Sequence, residues 1–409
     1  KGSVYKPDLN ININADISSE RVVLNNSDTG ALESVSLKGS WTDNTLSLDE
    51  FYAACAGNTV LTMNGSLIEE KKSPQYFVKI SVDSKDFLPF LNSLGLKLQS
   101  YTQATYRNAA ASFSLSGNNS AVSINDIKFS MDKMNISGVA GVTFNDKGNL
   151  YELQLNSDKV NLDNYLPENE KELKFMDNLK TDIMNLSFLK WLNINVNLHT
   201  DNLTFRKKNI NNVVLKADAK NGIVLVKELS GENMLETKFK IDTKIKNLGS
   251  LDINFSDLNF DVRSNNMAEL KNALKLPWPD WKIFKAADFE AAGVYNGNLH
   301  EGTIKINALA DDTKAEYDGL IKQDENFGFD GKLNLKTTNF GEFINNIGGN
   351  FKLTPATRGA LNCNGLLNGD NKNWKFDQTS CLLGIVTYQG NGEVAIGKNT
   401  GKIIAELQA

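Results

Sequence analysis

Eight residues of nearly perfect alternation constrain this chain more than any other feature. In LNINVNLH, residues 192–199, Leu192, Ile194, Val196 and Leu198 alternate with Asn193, Asn195, Asn197 and His199. Successive side chains of a strand point to opposite faces, so the stretch carries one apolar and one polar face. Nearly the same letters, LNININAD, stand at 9–16, and the two copies are 183 residues apart. A repeat at that distance predicts a duplicated β unit, and stacked repeats can share one continuous core.

The same period runs along the rest of the chain. Phe113 and Leu115 alternate, as do Ile127, Phe129 and Met131, and Tyr151, Leu153 and Leu155. KFKIDTKI at 238–245 puts Phe239, Ile241, Thr243 and Ile245 on one face. LDINFSDLNFDV at 251–262 slips its phase by one residue at Ser256-Asp257, which predicts a β-bulge. Four stretches break the strand period in favour of helical spacing: 83–96, 160–167, the run through Met267, Leu270 and Leu274, and 339–348. A helical connector is expected over 168–190, and a Pro277-Trp278-Pro279 turn after the third stretch. Each unit therefore reads as strand block, short helix, strand block, short helix. The predicted organisation is a first unit over 1–190, a second over 191–348 and a partial third over 349–409. Strands at this spacing without long crossover helices predict a meandering antiparallel sheet.

Chemistry-bearing motifs are sparse. Lys and Asp/Glu are interspersed at a net charge of −5 with no basic block, so nucleic acid is not an expected partner. The chain carries no nucleotide-binding, nucleophile-elbow or zinc-protease signature. His199 takes the place of Asp16 in the earlier copy and reads as a solvated polar-face residue; no metal or cofactor is expected. The turn GDNKNW at 369–374 lacks the ligand spacing of a calcium loop. Cys55, Cys363 and Cys381 form no C-x-x-C pair. Cys363 and Cys381 could pair in an oxidising compartment, but buried free thiols are the reading taken here. No run approaches 18 apolar residues. An anchor or signal is expected upstream of KGSVYKPD.

A one-sided sheet of this length must pack, close or curl, because its apolar face cannot remain in water. A few short helices can plug ends or bends but cannot cover that face. The expected fold is mainly β: an elongated, twisted, repetitive antiparallel sheet curled into an apolar groove, with a few short helices. Strand phase nominates Ile11, Ile13, Ile194, Val196, Phe239, Ile241, Phe329 and Leu333 as groove-lining residues. Such a groove suits acyl chains, each buried CH₂ being worth roughly 0.8 kcal/mol.

The stretch LNINVNLHTDNLTFRKKNINNVVLKADAKNGIVLVKELSG at 192–231, together with VNLDNYLP at 160–167, resembles the AsmA family of Gram-negative envelope proteins. The resemblance implies a periplasmic, inner-membrane-anchored, bridge-like protein that carries phospholipid or another acyl lipid in a groove. It also implies outer-membrane biogenesis and outer-membrane assembly partners, and it offers no catalytic residue to transfer. A non-enzymatic lipid-transfer groove is thus the first functional expectation. A structural or adhesive β-rich envelope protein is the second. A polysaccharide-active enzyme is the third; it would need a local cluster of acids and aromatics, and Trp41, Trp191, Trp278, Trp281 and Trp374 do not recur at matching repeat positions.

Overall fold

The computed structural model describes residues 12–19, 22–23, 31–42, 44–70, 73–94, 96, 106–146, 148–166, 186–248, 252–274, 288–323, 327–346, 359–370, 373–396 and 401–408. Ile11, Gly95, most of the expected connector and the Pro277-Trp278-Pro279 turn lie outside the described residues. The described chain is mainly β and antiparallel, with open sheet structure and few short helices. It divides into two compact units, residues 1–171 with 193–207, and residues 172–192 with 208–409.

The first unit holds β1 (Asn12–Ser19), β2 (Val22–Val23), β3 (Ala31–Leu32), β4 (Ser34–Thr42), β5 (Thr45–Cys55) and β6 (Thr59–Ile68). It continues through β7 (Gln75–Ser84), β8 (Ala109–Gly117), β9 (Ala121–Met131), β10 (Met134–Thr143), β11 (Leu150–Asn161) and β12 (Asn193–Phe205). β2 pairs with β3, β1 pairs with β4, and the ladder then follows chain order from β4 to β12. The expected meander has one exception: β11 and β12 are parallel, with Leu150 opposite Asn193 and Asn161 opposite Thr204. β12 therefore runs in the same direction as β11.

The second unit holds β13 (Lys208–Lys220), β14 (Ile223–Met234), β15 (Thr237–Lys246), β16 (Asn254–Ser264), β17 (Phe289–Asn298) and β18 (Glu301–Ala310). It ends with β19 (Thr313–Gln323), β20 (Phe327–Thr337), β21 (Leu361–Asp370), β22 (Asn373–Leu383), β23 (Val386–Ile396) and β24 (Gly401–Gln408). Each strand pairs antiparallel with the next. The phase slip at Ser256-Asp257 is a bulge: the register of β16 on β17 shifts between Phe255 and Leu258, and Asp257 has φ +49°.

Four short helices follow β7, β11, β16 and β20: α1 (Phe87–Ser93), a 3₁₀ turn (Leu162–Tyr165), α2 (Met267–Leu274) and α3 (Phe340–Asn346). The described part of the expected connector is a 3₁₀ helix, Leu186–Trp191. One local pattern precedes all four: an Asp or Asn, an apolar residue, and a second apolar residue three further on. The pattern reads Asp86-Phe87 to Phe90, Asn161-Leu162 to Tyr165, Asn266-Met267 to Leu270, and Asn339-Phe340 to Phe343. The Asn residues cap the helix starts. Asn266 Oδ1 accepts from Glu269 N at 3.1 Å, and Asn339 Oδ1 accepts from Glu342 N at 3.1 Å. Each Asn side-chain amide also donates to the carboxylate of that glutamate, a side-chain contact beside the one capped backbone N–H.

The helices fix where the core sits. In the first unit Phe90 joins Ala53 and Cys55, with Val35, Phe51, Leu61 and Val82 packed against them. In the second, Met267 and Leu270 join Leu235, Phe289 and Ala291. At the same strand ends short polar pairs are buried. Thr59 Oγ1 and Ser84 Oγ are 2.7 Å apart, and Thr237 Oγ1 donates to Ser264 Oγ at 2.8 Å. Cys55 is a buried free thiol, and burial pushes it above the usual thiol range. The free-thiol reading fails for the other two cysteines. Cys363 and Cys381 stand directly opposite on β21 and β22, with Cα atoms 4.0 Å apart, and form a disulfide. The hairpin brings them together across the turn after Asp370, which linear spacing alone does not reveal.

Candidate functional site

Register converts the strand pattern into rows that run across each sheet. In the first unit one row passes from Ile13 on β1 through Trp41, Leu46, Leu67 and Tyr76, and on through Gly117, Val122, Val142 and Tyr151 to Ile194 on β12. The next row ends at Val196 and includes Leu153, Ile124, Leu115, Val78 and Leu48. A third holds Leu37, Phe51, Met63, Ile80 and Phe113 on β4 to β8. Adjacent rows lie two residues apart along the strands, so all three share one face. Ile13 and Ile194 therefore mark the two ends of one row, nine strand steps or roughly 43 Å apart at ~4.8 Å per step. The Ile13 side chain and all of Ile11 lie outside the described residues.

The second unit repeats the arrangement. Ile241 and Leu333 belong to one row, linked through Phe260, Gly293, Ile306 and Tyr317. Phe239 stands in the neighbouring row with Val262, Ala291, Ala308, Ala315 and Leu335, and that row continues into the Cys363–Cys381 disulfide. Phe329 shares the face with Leu333 and packs edge-on against Trp374, centroids 5.9 Å apart. Within each unit the nominated residues thus share a face without touching across strands.

Aromatic rings lie down on this face where a neighbouring strand offers glycine. Tyr76 lies over Gly117, and a Cβ there would stand 2.7 Å from the tyrosine oxygen. Phe260 covers Gly293 at 2.8 Å in the same sense. At these two positions the ring takes the space that a side chain on the neighbouring strand would fill. Tyr317 keeps its hydroxyl satisfied by donating to Leu320 O at 2.8 Å, and burial pushes its pKa up to about 12. Ile194, Val196, Phe239, Ile241, Phe329 and Leu333 are all half-buried, while Asn195, Asn197, Lys238, Lys240 and Lys332 on the reverse face are exposed.

The reverse face is stitched by cross-strand ion pairs in the second unit, among them Lys216–Glu228 at 2.8 Å and Lys305–Asp318 at 3.7 Å. His199 lies on the reverse face of the first unit, Nε2 3.8 Å from Asp201 Oδ1. Among the described residues no group of three or more His, Cys, Asp or Glu is placed to hold a metal ion. No described helix is long and apolar enough to cross a membrane. The cross-strand rows and the Thr/Ser pairs escaped the sequence reading. The pairs carry a weak signal, a Ser or Thr two residues before the helix-capping position at Ser84, Ser264 and Thr337. Compared with protein-family models, curated proteins and solved structures, the chain finds no match.

Proposed function

We propose that this chain is a non-enzymatic lipid carrier of the AsmA type, which holds phospholipid or other acyl chains against its apolar rows and conducts them along those rows. The observation that carries the reading is the continuity of an apolar row, in part open to solvent, from Trp41 on β4 to Ile194 on β12. Buried apolar clusters form under α1 and α2, while large side chains such as Trp41, Leu46 and Leu67 keep solvent contact. Each buried CH₂ is worth roughly 0.8 kcal/mol, so an acyl chain gains by lying along such a surface and has no barrier to stepping from strand to strand. The Cys363–Cys381 disulfide supports an oxidising compartment, in keeping with a periplasmic location, an inner-membrane anchor and a part in outer-membrane biogenesis. Native mass spectrometry after gentle extraction tests the reading: co-purified phospholipid supports it. Protein free of lipid, which also takes up none from vesicles, favours a structural or adhesive envelope role.

A further inference from the structure

A patch of mixed character lies on the reverse face of the second unit, where β13 ends, β14 begins and β15 ends, away from α2. Trp191, the last residue of the neighbouring 3₁₀ helix, is 87 % exposed. Lys190 lines a small hollow with Asn221, Gly222 and Asn247, which sets that helix beside these strand ends. Ile223 and Leu225 are 37 % and 42 % exposed. Register puts Ile223 opposite Lys220 and sets Leu225 between Asp218 and Lys244, with Lys246 two residues further along the same face. Large apolar side chains held in water among lysines mark a contact surface.

We propose that this patch docks the second unit on the surface of an anionic lipid bilayer. Lysine is in local excess here, in a chain whose net charge is −5. Lys190, Lys220, Lys244 and Lys246 are exposed and form no ion pair among the described residues. Of the acids in these rows and the adjoining turns, Asp218 is held by Lys227, which leaves Asp252 and Asp257 against those four lysines. Indole rings settle at the headgroup level of bilayers, where one end is apolar and the other wet. Lysine stems can lie along the lipid surface while their ammonium groups reach phosphates. Each such lysine is worth about fivefold in affinity near an anionic leaflet. Ile223 and Leu225 stand among lysines and are not gathered into one pocket, which suits a fluid headgroup layer better than the buried anchor of a protein partner. The patch is on the face opposite the apolar rows, so it does not depend on those rows carrying lipid.

The test is flotation of the full chain with vesicles of phosphatidylcholine alone and of phosphatidylcholine mixed with phosphatidylglycerol. Binding to the mixed vesicles alone is expected, and it should fall as salt rises. Trp191→Ala should weaken it about tenfold. Lys220→Glu combined with Lys246→Glu should weaken it at least as much and flatten the salt dependence. Lys305→Ala, elsewhere on the reverse face, should bind as wild type. Val196→Asp, on the apolar rows, should do so too, so loss of lipid carriage and loss of docking are read separately. Melting curves show which variants are folded. No binding to either vesicle, equal binding to both, or unchanged binding in either folded patch variant would overturn the proposal.

Discussion

The two ends of each strand do different work. At the helix ends α1 and α2 cover the sheet, Phe90 and Met267 are buried, and Thr59, Ser84, Thr237 and Ser264 are paired out of water. At the opposite end of the first unit the row of Trp41, Leu46, Leu67 and Tyr151 is open, with Trp41 and Leu46 both 42 % exposed. The same alternation produces both ends, so the difference comes from what is laid on top. Under α1 and α2 apolar side chains are covered by helix, whereas at the open end of the first unit they stay in contact with solvent.

Several substitutions would break or sharpen that contrast. The largest effect is expected for Phe90→Ala, at about 3–5 kcal/mol by denaturant unfolding, since a large buried ring leaves a cavity. Leu46→Ala at the open end should cost less than about 1 kcal/mol. Equal costs at the two ends would erase the distinction. Next comes the disulfide, which lies toward the helix ends of β21 and β22. Replacing Cys363 and Cys381 by serine should lower stability by roughly 3 kcal/mol, the loop-closure value for a bridge of this span. An unchanged unfolding midpoint would show that the hairpin does not limit stability.

A smaller effect is expected at Asp312, in the turn between β18 and β19. Its carboxylate accepts from the Thr338 and Asn339 amides at 2.9 and 3.1 Å and from the hydroxyls of Thr337 and Thr338, which ties that turn to the entry of α3. Hydrogen bonding from Thr338 holds its pKa below the usual carboxylate value. A lowered folded pKa means stabilisation that is complete above the unfolded value and lost as pH falls through the folded one. Asp312→Ala should therefore cost about 1 kcal/mol at neutral pH, the site being solvent-screened. That cost should shrink below about pH 4, where wild type also loses the charge. A pH-independent difference would assign the effect to packing.

Much of this architecture is legible in the letters because period-2 patterning survives without tertiary context. The faces of β12, β15 and β20, the bulge at Asp257 and the four short helices all have local causes. What escaped is non-local. Cys363 and Cys381 are symmetric about the turn following Asp370, so the pairing follows only once the hairpin is placed. The parallel pairing of β12 with β11 depends on which strands meet, not on the letters of either strand.

The central claim is that the open apolar rows hold lipid. The most direct measurement is photocrosslinking of a diacyl phospholipid analogue to wild type, Val196→Asp and Asn195→Asp, with circular dichroism as the folding control. Val196 sits in the first third of β12, beside Leu153 in its row, and a carboxylate there would meet acyl chains without a partner. Asn195 points to the opposite face. The account predicts strong labelling of wild type and Asn195→Asp and a large loss in folded Val196→Asp. Equal labelling of all three folded proteins, or none in any, would contradict it.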